Sequence, residues 1–311
     1  MGSTAPTTVP SGGLVLVTGV NGFLASQLAL NLGYKLRGTV QFQDKADWIT
    51  EAVTKRYPDA SFKTVVVPNI SVPGAFDDAI RGVDGIAHVA SDLSFGSDPE
   101  KVITPMLEAL RSFLRSATKE PSVKRFVLTS SAIAALTPQP EKEMHVDANT
   151  WNDSGIERRG VRRRTTPSGA RTKTSPSLSP TPSLPDFIVG PIIHAKQNGS
   201  TGRWVKEFFD DPVNYYKPLQ TIIPRHFNER LLAFAGPFNF NNWLSVFRKI
   251  DPAKPWPEDD PNQAHDRSTV DTRRSKELLK RYSRPDFTSF VESVRDNCLN
   301  SDPEWKRSNF P

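Results

Sequence analysis

Residues 14–26 read Leu-Val-Leu-Val-Thr-Gly-Val-Asn-Gly-Phe-Leu-Ala-Ser, and this stretch decides the fold of the 311-residue chain. Its first five residues are apolar or β-branched and predict a buried strand. Gly19 then permits a tight turn, Gly22 lets the backbone approach a bound anion, and Ala25 lets a following helix pack closely. A strand, a glycine-rich turn and a helix in this order predict a site for dinucleotide phosphates, whereas glycines alone would indicate an ordinary turn. The residues expected at that site are Gly19, Asn21, Gly22, Phe23 and Leu24.

The N-terminal half of the chain alternates strand and helix patterns. Short runs rich in Val, Leu, Ile and Ala predict buried strands at Leu14–Thr18, Lys35–Val40, Lys63–Val67, Gly85–Ala90 and Arg125–Thr129. Apolar residues spaced three and four apart predict helices at Phe23–Leu32, Lys45–Tyr57, Gly74–Arg81 and Glu100–Lys119. Further helices are predicted at Trp204–Phe209, Asn241–Lys249, Thr272–Tyr282 and Thr288–Asn297. The alternation is typical of βαβ units, so the predicted fold class is α/β, with a Rossmann-type doubly wound parallel sheet.

The second predicted strand indicates which dinucleotide is bound. An acidic residue at the end of this strand binds the ribose hydroxyls of NAD, whereas cations suit the 2′-phosphate of NADP. No acidic residue occurs between Lys35 and Gln41, while Arg37 lies in the strand and Lys45 follows it. The sequence therefore predicts NADP(H) as the cofactor, with Arg37 and Lys45 beside its 2′-phosphate. The alternative, in which both cations are solvated surface charges, stays open at this point.

The net charge of +6 comes from one segment of the chain. Residues 158–183 contain seven basic residues and no acidic one, whereas the rest of the chain holds 33 basic and 34 acidic residues. The same segment has ten Ser or Thr, four Pro and no helix or strand period, which is typical of disorder. It lacks the interleaved aromatic residues that stack on bases, so no nucleic-acid partner is expected.

Other features bound the class of protein. The single cysteine, Cys298, excludes an internal disulfide framework and fits a reducing compartment. No apolar run is long enough to span a bilayer, and Met1–Gly13 lacks a signal-peptide core. We therefore expect a loose N-terminal tail on a cytoplasmic protein with no membrane partner. The five histidines show no metal-ligand spacing, and no metal is expected.

The glycine turn and several other stretches match one protein family. They are Val17–Ser26, Gly33–Val40, His88–Ser91, Lys119–Ser131, Trp151–Asp153, Phe234–Asn239 and Glu292–Asn297. Together they resemble the extended short-chain dehydrogenase/reductases, also described as the NAD-dependent epimerase/dehydratase family. Within that family the chain is similar to fungal aldehyde and ketone reductases related to dihydroflavonol reductase and cinnamoyl-CoA reductase. The resemblance implies hydride transfer between NADP(H) and a small-molecule aldehyde or ketone, which gives an alcohol.

The resemblance also implies positions for cofactor and substrate. The cofactor residues would be Asn69 and Ile70 at the adenine, Val89, Ala90 and Ser91 along the cofactor, and Pro185 and Ile188 at the nicotinamide. Asn69 is a departure, because the family usually has Asp there. Ser131 would be the catalytic serine that hydrogen-bonds the substrate carbonyl. Without the resemblance, a strand-end hydroxyl satisfied by the backbone would be the simpler interpretation of Ser131.

The proton donor of the family is missing from its expected place. The family uses a tyrosine whose pKa is lowered by a lysine four residues later on the same helical face. This chain has no tyrosine between residues 131 and 185, and none of its tyrosines has a lysine at the fourth following position. Tyr215 and Tyr216 beside Lys217 do not substitute, because adjacent positions do not share a helix face and a proline follows. As written, the chain is predicted to have little or no reductase activity.

Two interpretations of this departure stay open. In the first, residues 158–183 are translated out of frame or mis-spliced, because the composition changes abruptly while both flanks match the family. Relatives also carry a strand and helix that this chain omits between Phe227 and Asn228, and its first helix is shortened before Gly33. In the second, the segment is a genuine disordered insert that is phosphorylated or binds an acidic partner. The corresponding functions are a carbonyl reductase whose true coding sequence includes the dyad, and a non-catalytic NADP-binding relative.

The predicted organisation follows from these observations. It comprises a tail over 1–13, an NADP-binding domain over 14–155, the basic segment over 156–183, and a small, partly truncated substrate region over 184–311.

Overall fold

The computed structural model describes most of the chain as two compact units. The described residues are 8–27, 33–91, 98–137, 139, 141–153, 181–183, 188–213, 238–281, 284 and 286–305. The first unit takes the described residues up to Thr129 together with Thr181, and the second takes those of 130–153 and those from Pro182 onward. The structure therefore groups residues 130–153 with the second unit, whereas the sequence predicted them in the nucleotide domain over 14–155.

The first unit is built on a parallel sheet. Its strands are β1 (Leu14–Val17), β2 (Lys35–Val40), β3 (Phe62–Val66), β4 (Gly85–His88) and β5 (Arg125–Thr129). Their order is β3-β2-β1-β4-β5, and a short strand at Thr181–Ser183 follows β5 in that order. The chain thus builds outward on one side of β1 and then crosses to the other side. Such a reversal is the topological switch point at which doubly wound sheets bind ligands, and it confirms the predicted fold class.

The strand predictions hold closely. The predicted strands at 35–40 and 125–129 are confirmed to the residue, and those at 14–18, 63–67 and 85–90 differ by one or two residues at their ends. β4 is shorter than predicted because the N–H groups of Val89 and Ala90 donate to a side-chain hydroxyl instead of a neighbouring strand. β1 pairs on both sides, with Leu16 opposite Arg37 of β2 and opposite Ile86 of β4.

The helices of the first unit differ more from their predictions. They are α1 (Gln43–Arg56), α2 (Asp77–Ile80) and α3 (Pro99–Lys119). α2 begins three residues later than predicted, because Gly74 has a φ of +77°, which no right-handed helix contains. The helix predicted at 23–32 is described only as a 3₁₀ turn over Ala25–Gln27, and 28–32 lie outside the described residues.

The core of the first unit lies between the sheet and its helices. Phe76, Phe113 and Phe126 are fully buried there, with Leu16 and Ile86 of the central strands. Phe76 meets Phe113 edge to face at 4.4 Å between ring centroids, and Phe113 lies 5.6 Å from Phe126. Such pairs add roughly 0.5–1.5 kcal/mol each to the burial of apolar surface. This packing holds the central strands, and therefore the strand ends, in place.

Residues 8–13 correct the prediction of a loose tail. The Thr8 hydroxyl accepts a hydrogen bond from the Arg125 guanidinium. Val9 packs on Gly85, because a Cβ added to that glycine would lie 2.8 Å from Cγ2 of Val9. The N–H of Gly13 donates to the carbonyl of Pro10 and closes a turn. These residues therefore pack at the start of β4 and β5, and residues 1–7 lie outside the described residues.

The second unit is helical around an aromatic core. Its helices are α4 (Ser200–Asp210), α5 (Phe240–Ile250), α6 (Arg273–Arg281) and α7 (Phe290–Asn300), with a short parallel pair between His145–Val146 and Thr269–Val270. Helices are confirmed at all four predicted places. Phe208, Phe240, Trp243 and Phe247 are buried together, with Cys298 beside them. Along the described part of the chain, no helix combines the length and apolarity needed to cross a membrane.

Candidate functional site

The turn after β1 has the geometry that its glycines predict. Gly19 has a φ of +65°, which glycine adopts without strain, and its carbonyl accepts from Gly22 N–H at 2.8 Å. A Cβ on Gly19 would lie 3.1 Å from both Cα and Cβ of Ala90. The structure therefore brings the predicted phosphate turn and the predicted cofactor stretch 89–91 together. They meet at the edge formed by the carboxyl ends of the strands, which we call the carboxyl edge.

A glycine of β2 makes room for the same turn. A Cβ on Gly38 would lie 2.3 Å from Cγ1 and 2.7 Å from Cβ of Val20. Val20 N–H donates to the Thr39 carbonyl at 3.0 Å, and Gly19 N–H donates to the Thr39 hydroxyl at 3.3 Å. The turn is therefore docked on β2 by backbone and hydroxyl groups, and only glycine fits at position 38.

One buried hydroxyl joins the carboxyl ends of β1 and β4. Thr18 is fully buried, and its Oγ1 accepts from the N–H groups of Val89 at 2.9 Å and Ala90 at 3.0 Å. The same Oγ1 lies 2.9 Å from Nδ1 of His88. Because both backbone groups donate, the hydroxyl hydrogen points to the imidazole, which accepts at Nδ1. Thr18 thus fixes the start of the phosphate turn relative to residues 89–91.

The histidine in this network is held neutral. His88 is only 5% exposed and stacks on Phe113 at 4.8 Å between ring centroids. Burial lowers the pKa of His88 from 6.5 to about 4, because a charged imidazole loses its hydration in this apolar surrounding. The neutral ring keeps Nδ1 available as the acceptor for Thr18. His88 is therefore a structural part of the site.

The ends of β2 and β3 lie next to each other on the same edge. Val67 N–H donates to the Val40 carbonyl at 2.8 Å, and the Gln41 amide nitrogen lies 3.4 Å from the Pro68 carbonyl. Asn69 is exposed, and its Oδ1 accepts from Ser71 N–H at 2.9 Å in a local turn. Ile70 packs against the first unit's core. The two residues predicted beside the adenine therefore follow β3 directly and neighbour the end of β2.

The two predicted phosphate cations occupy different places. Arg37 lies three residues before the end of β2, and its Nη1 donates at 2.8 Å to the carbonyls of Ala79 and Arg81 at the C-terminal end of α2. Lys45 lies in the first turn of α1, directly after the carboxyl edge, and its Nζ is 3.7 Å from the Asp44 carboxylate. The structure thus gives Arg37 a helix-capping contact, while Lys45 lies at the carboxyl edge.

The remaining predicted residues of the first unit line the carboxyl edge to different extents. Asn21, Gly22 and Leu24 are half-buried, whereas Phe23 is only 3% exposed, so its ring is closed to a ligand. Ser91 is exposed.

The predicted residues of the second unit are described separately. Ser131 is exposed just before a 3₁₀ turn at Ala132–Ala134, and its carbonyl accepts from Ala134 N–H at 2.9 Å. The Thr201 hydroxyl binds both backbone groups of Ile188. It accepts from the Ile188 N–H at 2.8 Å and donates to the Ile188 carbonyl at 2.7 Å. Pro185 lies outside the described residues.

The described part of the chain holds no cluster of His, Cys, Asp or Glu suited to a metal ion.

Sequence reasoning missed the residues that hold this site in shape. Thr39, Gly38, His88 and Thr201 were given no role at the site. The signal for His88 was a titratable side chain inside a strand predicted to be buried on both faces, which requires a hydrogen-bond partner. Nothing in the local pattern around Gly38 distinguishes it from an ordinary strand glycine, because its contact with Val20 comes from another strand end.

The fold places this chain in the Rossmann-type α/β class. The chain is 43% identical to the NAD-dependent epimerase/dehydratase terH of Aspergillus terreus over 329 residues, which cover 92% of this chain and 96% of that protein. The chain belongs to the extended short-chain dehydrogenase/reductases, in the NAD-dependent epimerase/dehydratase family.

Two further comparisons bear on this assignment. Aldehyde reductase 2 of Sporidiobolus salmonicolor is 35% identical over 329 residues, which cover 93% of this chain and 96% of that protein. Yeast methylglyoxal/isovaleraldehyde reductase Gre2, solved with NADPH, has the same fold at a TM-score of 0.68 and 22% identity, covering 91% of this chain and 96% of that one. No protein-family model matches the chain.

Proposed function

We propose that this chain binds NADP(H) at the carboxyl edge of its first unit and is, by type, an aldehyde or ketone reductase. The observation that carries the proposal is the cradle at Gly19 and Gly38. A Cβ on Gly38 would collide with Val20, and one on Gly19 would crowd Ala90 at 3.1 Å, so the turn needs glycine at both positions to pack as it does. A reductase relative and an NADPH-bound structural neighbour support the same assignment.

The residues at this edge fit a bound dinucleotide. The turn from Gly19 to Leu24 would hold the pyrophosphate, Val89–Ser91 would run along the cofactor, and Asn69 with Ile70 would lie at the adenine. When bound, NADPH supplies the hydride that reduces a carbonyl carbon. The nicotinamide contacts are proposed from the family resemblance alone: Pro185, which lies outside the described residues, and Ile188, whose backbone is held by the Thr201 hydroxyl.

Lys45 is the cation that favours the 2′-phosphate. It stands at the carboxyl edge with its side chain 39% exposed, and its pairing with Asp44 at 3.7 Å is a surface contact worth little. Arg37 is engaged by two carbonyls of α2 and contributes to the fold instead. Discrimination between NADPH and NADH therefore rests on Lys45.

Carbonyl reduction also needs a proton at the carbonyl oxygen. Ser131 would orient the carbonyl through its hydroxyl, but no tyrosine of the chain has a lysine four residues later to form the family's proton-donating dyad. Loss of a general acid commonly costs about 10²–10⁴ in rate. We therefore propose that the chain as written binds cofactor and turns over slowly at best. A non-catalytic NADP-binding relative is the second candidate, favoured by the same missing dyad.

Cofactor titration tests the binding proposal. NADPH and NADH are titrated into the purified full chain while the nicotinamide fluorescence is recorded. Lys45→Ala should weaken NADPH binding about fivefold to tenfold and leave NADH binding unchanged, since it removes one charge-assisted contact. Lys55→Ala, an exposed lysine on the same helix, is the matched control and should change neither. Wild-type protein that binds NADH as tightly as NADPH would contradict the proposed role of Lys45.

Turnover and transcript sequence separate the two candidate functions. NADPH oxidation with small aldehydes and ketones should be slow, and robust oxidation that disappears in Ser131→Ala would refute the proposal of a missing proton donor. Sequencing the transcript across codons 150–230 then decides the origin of the basic segment. If another reading frame of the transcript encodes a Tyr-x-x-x-Lys dyad, the gene encodes an ordinary reductase. If the transcript encodes the residues of this chain, the non-catalytic relative is favoured.

A further inference from the structure

One aromatic side chain at the carboxyl edge has no structural role that explains its exposure. Phe42 directly follows the residue after β2, and it is 52% exposed. It occupies the N-cap position of α1 in an extended conformation and makes no side-chain capping hydrogen bond. Ser, Thr, Asp and Asn are preferred at this position because their oxygens accept from the first N–H groups of the helix. The chain therefore forgoes a cap and exposes an aromatic ring instead.

The surroundings of Phe42 are those expected for a flat, apolar ligand group. Val66, the last residue of β3, is 36% exposed, and Val72 in the following loop is 49% exposed. The neighbouring Gln41 amide reaches the Pro68 carbonyl at 3.4 Å, so the loops after β2 and β3 meet beside Phe42. Val66 lies opposite Val40 in the β2–β3 ladder, so Val66 and Phe42 are both exposed near the ends of paired strands. Exposed apolar side chains at neighbouring strand ends are a candidate binding surface.

The strand order indicates which half of a dinucleotide would lie beside Phe42. β1 carries the phosphate turn, and β2 and β3 lie on one side of it while β4 and β5 lie on the other. In sheets of this type the group after β2 recognises the ribose of the adenosine half, so the adenine lies on the side of β2 and β3. Adenine is an aromatic plane, and each base stacked on an aromatic side chain contributes roughly 1–3 kcal/mol, which corresponds to at least about fivefold in affinity.

We propose that Phe42 stacks on the adenine of the bound dinucleotide and sets the affinity for the adenosine half of the cofactor. This inference rests on the proposed NADP(H) binding at the carboxyl edge. It names a ligand contact specific to this chain, because Phe42 makes no side-chain capping hydrogen bond and is 52% exposed.

The test uses adenosine 2′,5′-bisphosphate as the probe, because it contains the adenine, the ribose and the 2′-phosphate without the nicotinamide. Calorimetry on the full chain should show that Phe42→Ala binds this probe at least about fivefold more weakly than wild type, and that Phe42→Tyr restores the affinity because it keeps the plane. Ile103→Ala, which truncates a 44% exposed residue of α3, is the matched control and should bind like wild type. Urea unfolding of each variant shows whether the fold is retained.

A spectroscopic variant gives an independent readout. In Phe42→Trp, the probe should quench indole fluorescence beyond the change seen in wild type, because stacking places the base on the new ring. Unchanged affinity for the probe in Phe42→Ala, or no extra quenching in Phe42→Trp, overturns the inference. If the wild-type protein still binds NADPH in that case, the proposed function is unaffected. Wild-type protein that binds neither NADPH nor the probe overturns both. A Phe42→Ala protein that is destabilised but binds normally assigns the ring to the fold and also overturns the inference.

Discussion

The two edges of the first unit's sheet are tied together by different chemistry. At the amino edge, the Asp84 carboxylate accepts from Leu14 N–H at 2.9 Å and lies 3.4 Å from the Lys124 ammonium. At the carboxyl edge, the hydroxyls of Thr18 and Thr39 and the neutral ring of His88 make the corresponding contacts. The strands thus begin beside a charged pair at the amino edge and end beside uncharged groups at the carboxyl edge.

The difference separates stability from binding. A carboxylate among the strand ends would repel the phosphates of a dinucleotide, and at the amino edge it has no phosphate to repel. Hydroxyls and a neutral imidazole satisfy the backbone at the carboxyl edge without adding negative charge. Changes at the amino edge should therefore alter stability alone, whereas changes at the carboxyl edge should alter both stability and cofactor affinity.

The largest effect is expected from Gly38→Ala. The added methyl would lie 2.3 Å from Val20 Cγ1, so the phosphate turn must move away from β2. Overpacking of this kind costs about 1–3 kcal/mol or more, and the displaced turn should lose measurable NADPH binding. Urea unfolding and NADPH titration check both results. Val20→Gly in the same chain removes the colliding atoms and should restore part of the affinity. A Gly38→Ala protein with wild-type affinity would show that the turn does not depend on this contact.

The next effect is a pH dependence set by His88. Its pKa is lowered to about 4 from 6.5, so between these values the unfolded chain binds a proton that the folded chain does not. Stability therefore falls as the pH drops from 6.5 toward 4, by about 3 kcal/mol in total from this group. Urea unfolding at pH 7, 5.5 and 4.5 measures the slope. His88→Asn keeps an acceptor for Thr18 but does not titrate, so its stability should depend less on pH in this window; an identical slope would contradict the assignment.

Thr18→Val should have a smaller effect that touches both properties. Valine keeps the shape of the side chain but leaves the N–H groups of Val89 and Ala90 without their acceptor. Stability should fall by about 1–3 kcal/mol, and NADPH should bind more weakly because the stretch at residues 89–91 is no longer fixed to the phosphate turn. Thermal unfolding and NADPH titration measure the two effects. Thr18→Ser keeps the hydroxyl and serves as the control, and equal affinity in all three proteins would rule out the proposed positioning.

The smallest effect is expected from Asp84→Asn at the amino edge. The amide oxygen can still accept from Leu14 N–H, while the contact with Lys124 loses its charge. Stability should fall by about 1 kcal/mol or less, and NADPH affinity should stay unchanged. A variant that weakened NADPH binding without unfolding would break the separation between the two edges.

The strands and helices of the fold could be predicted from the sequence more completely than the contacts within the site. β2 and β5 were predicted to the residue. The start of α2 was wrong because Gly74 adopts a positive φ, which the helical spacing does not reveal.

Among the site residues, the glycine turn was predicted from its own pattern. The roles of Gly38 and His88 depend on residues far along the chain, Val20 at one strand end and Thr18 at another. Arg37 shows the same limit, since its charge predicted a phosphate ligand but the carbonyls that bind it lie more than forty residues later.

The central claim is that NADP(H) binds at the carboxyl edge and not at the amino edge. Amide hydrogen exchange with and without saturating NADPH tests it most directly, because it reports on both edges in one experiment. The account predicts slower exchange at Gly19–Phe23 and Val89–Ser91, with no change at Leu14 and Lys124. Unchanged exchange at Gly19–Phe23, or equal protection at both edges, would contradict it.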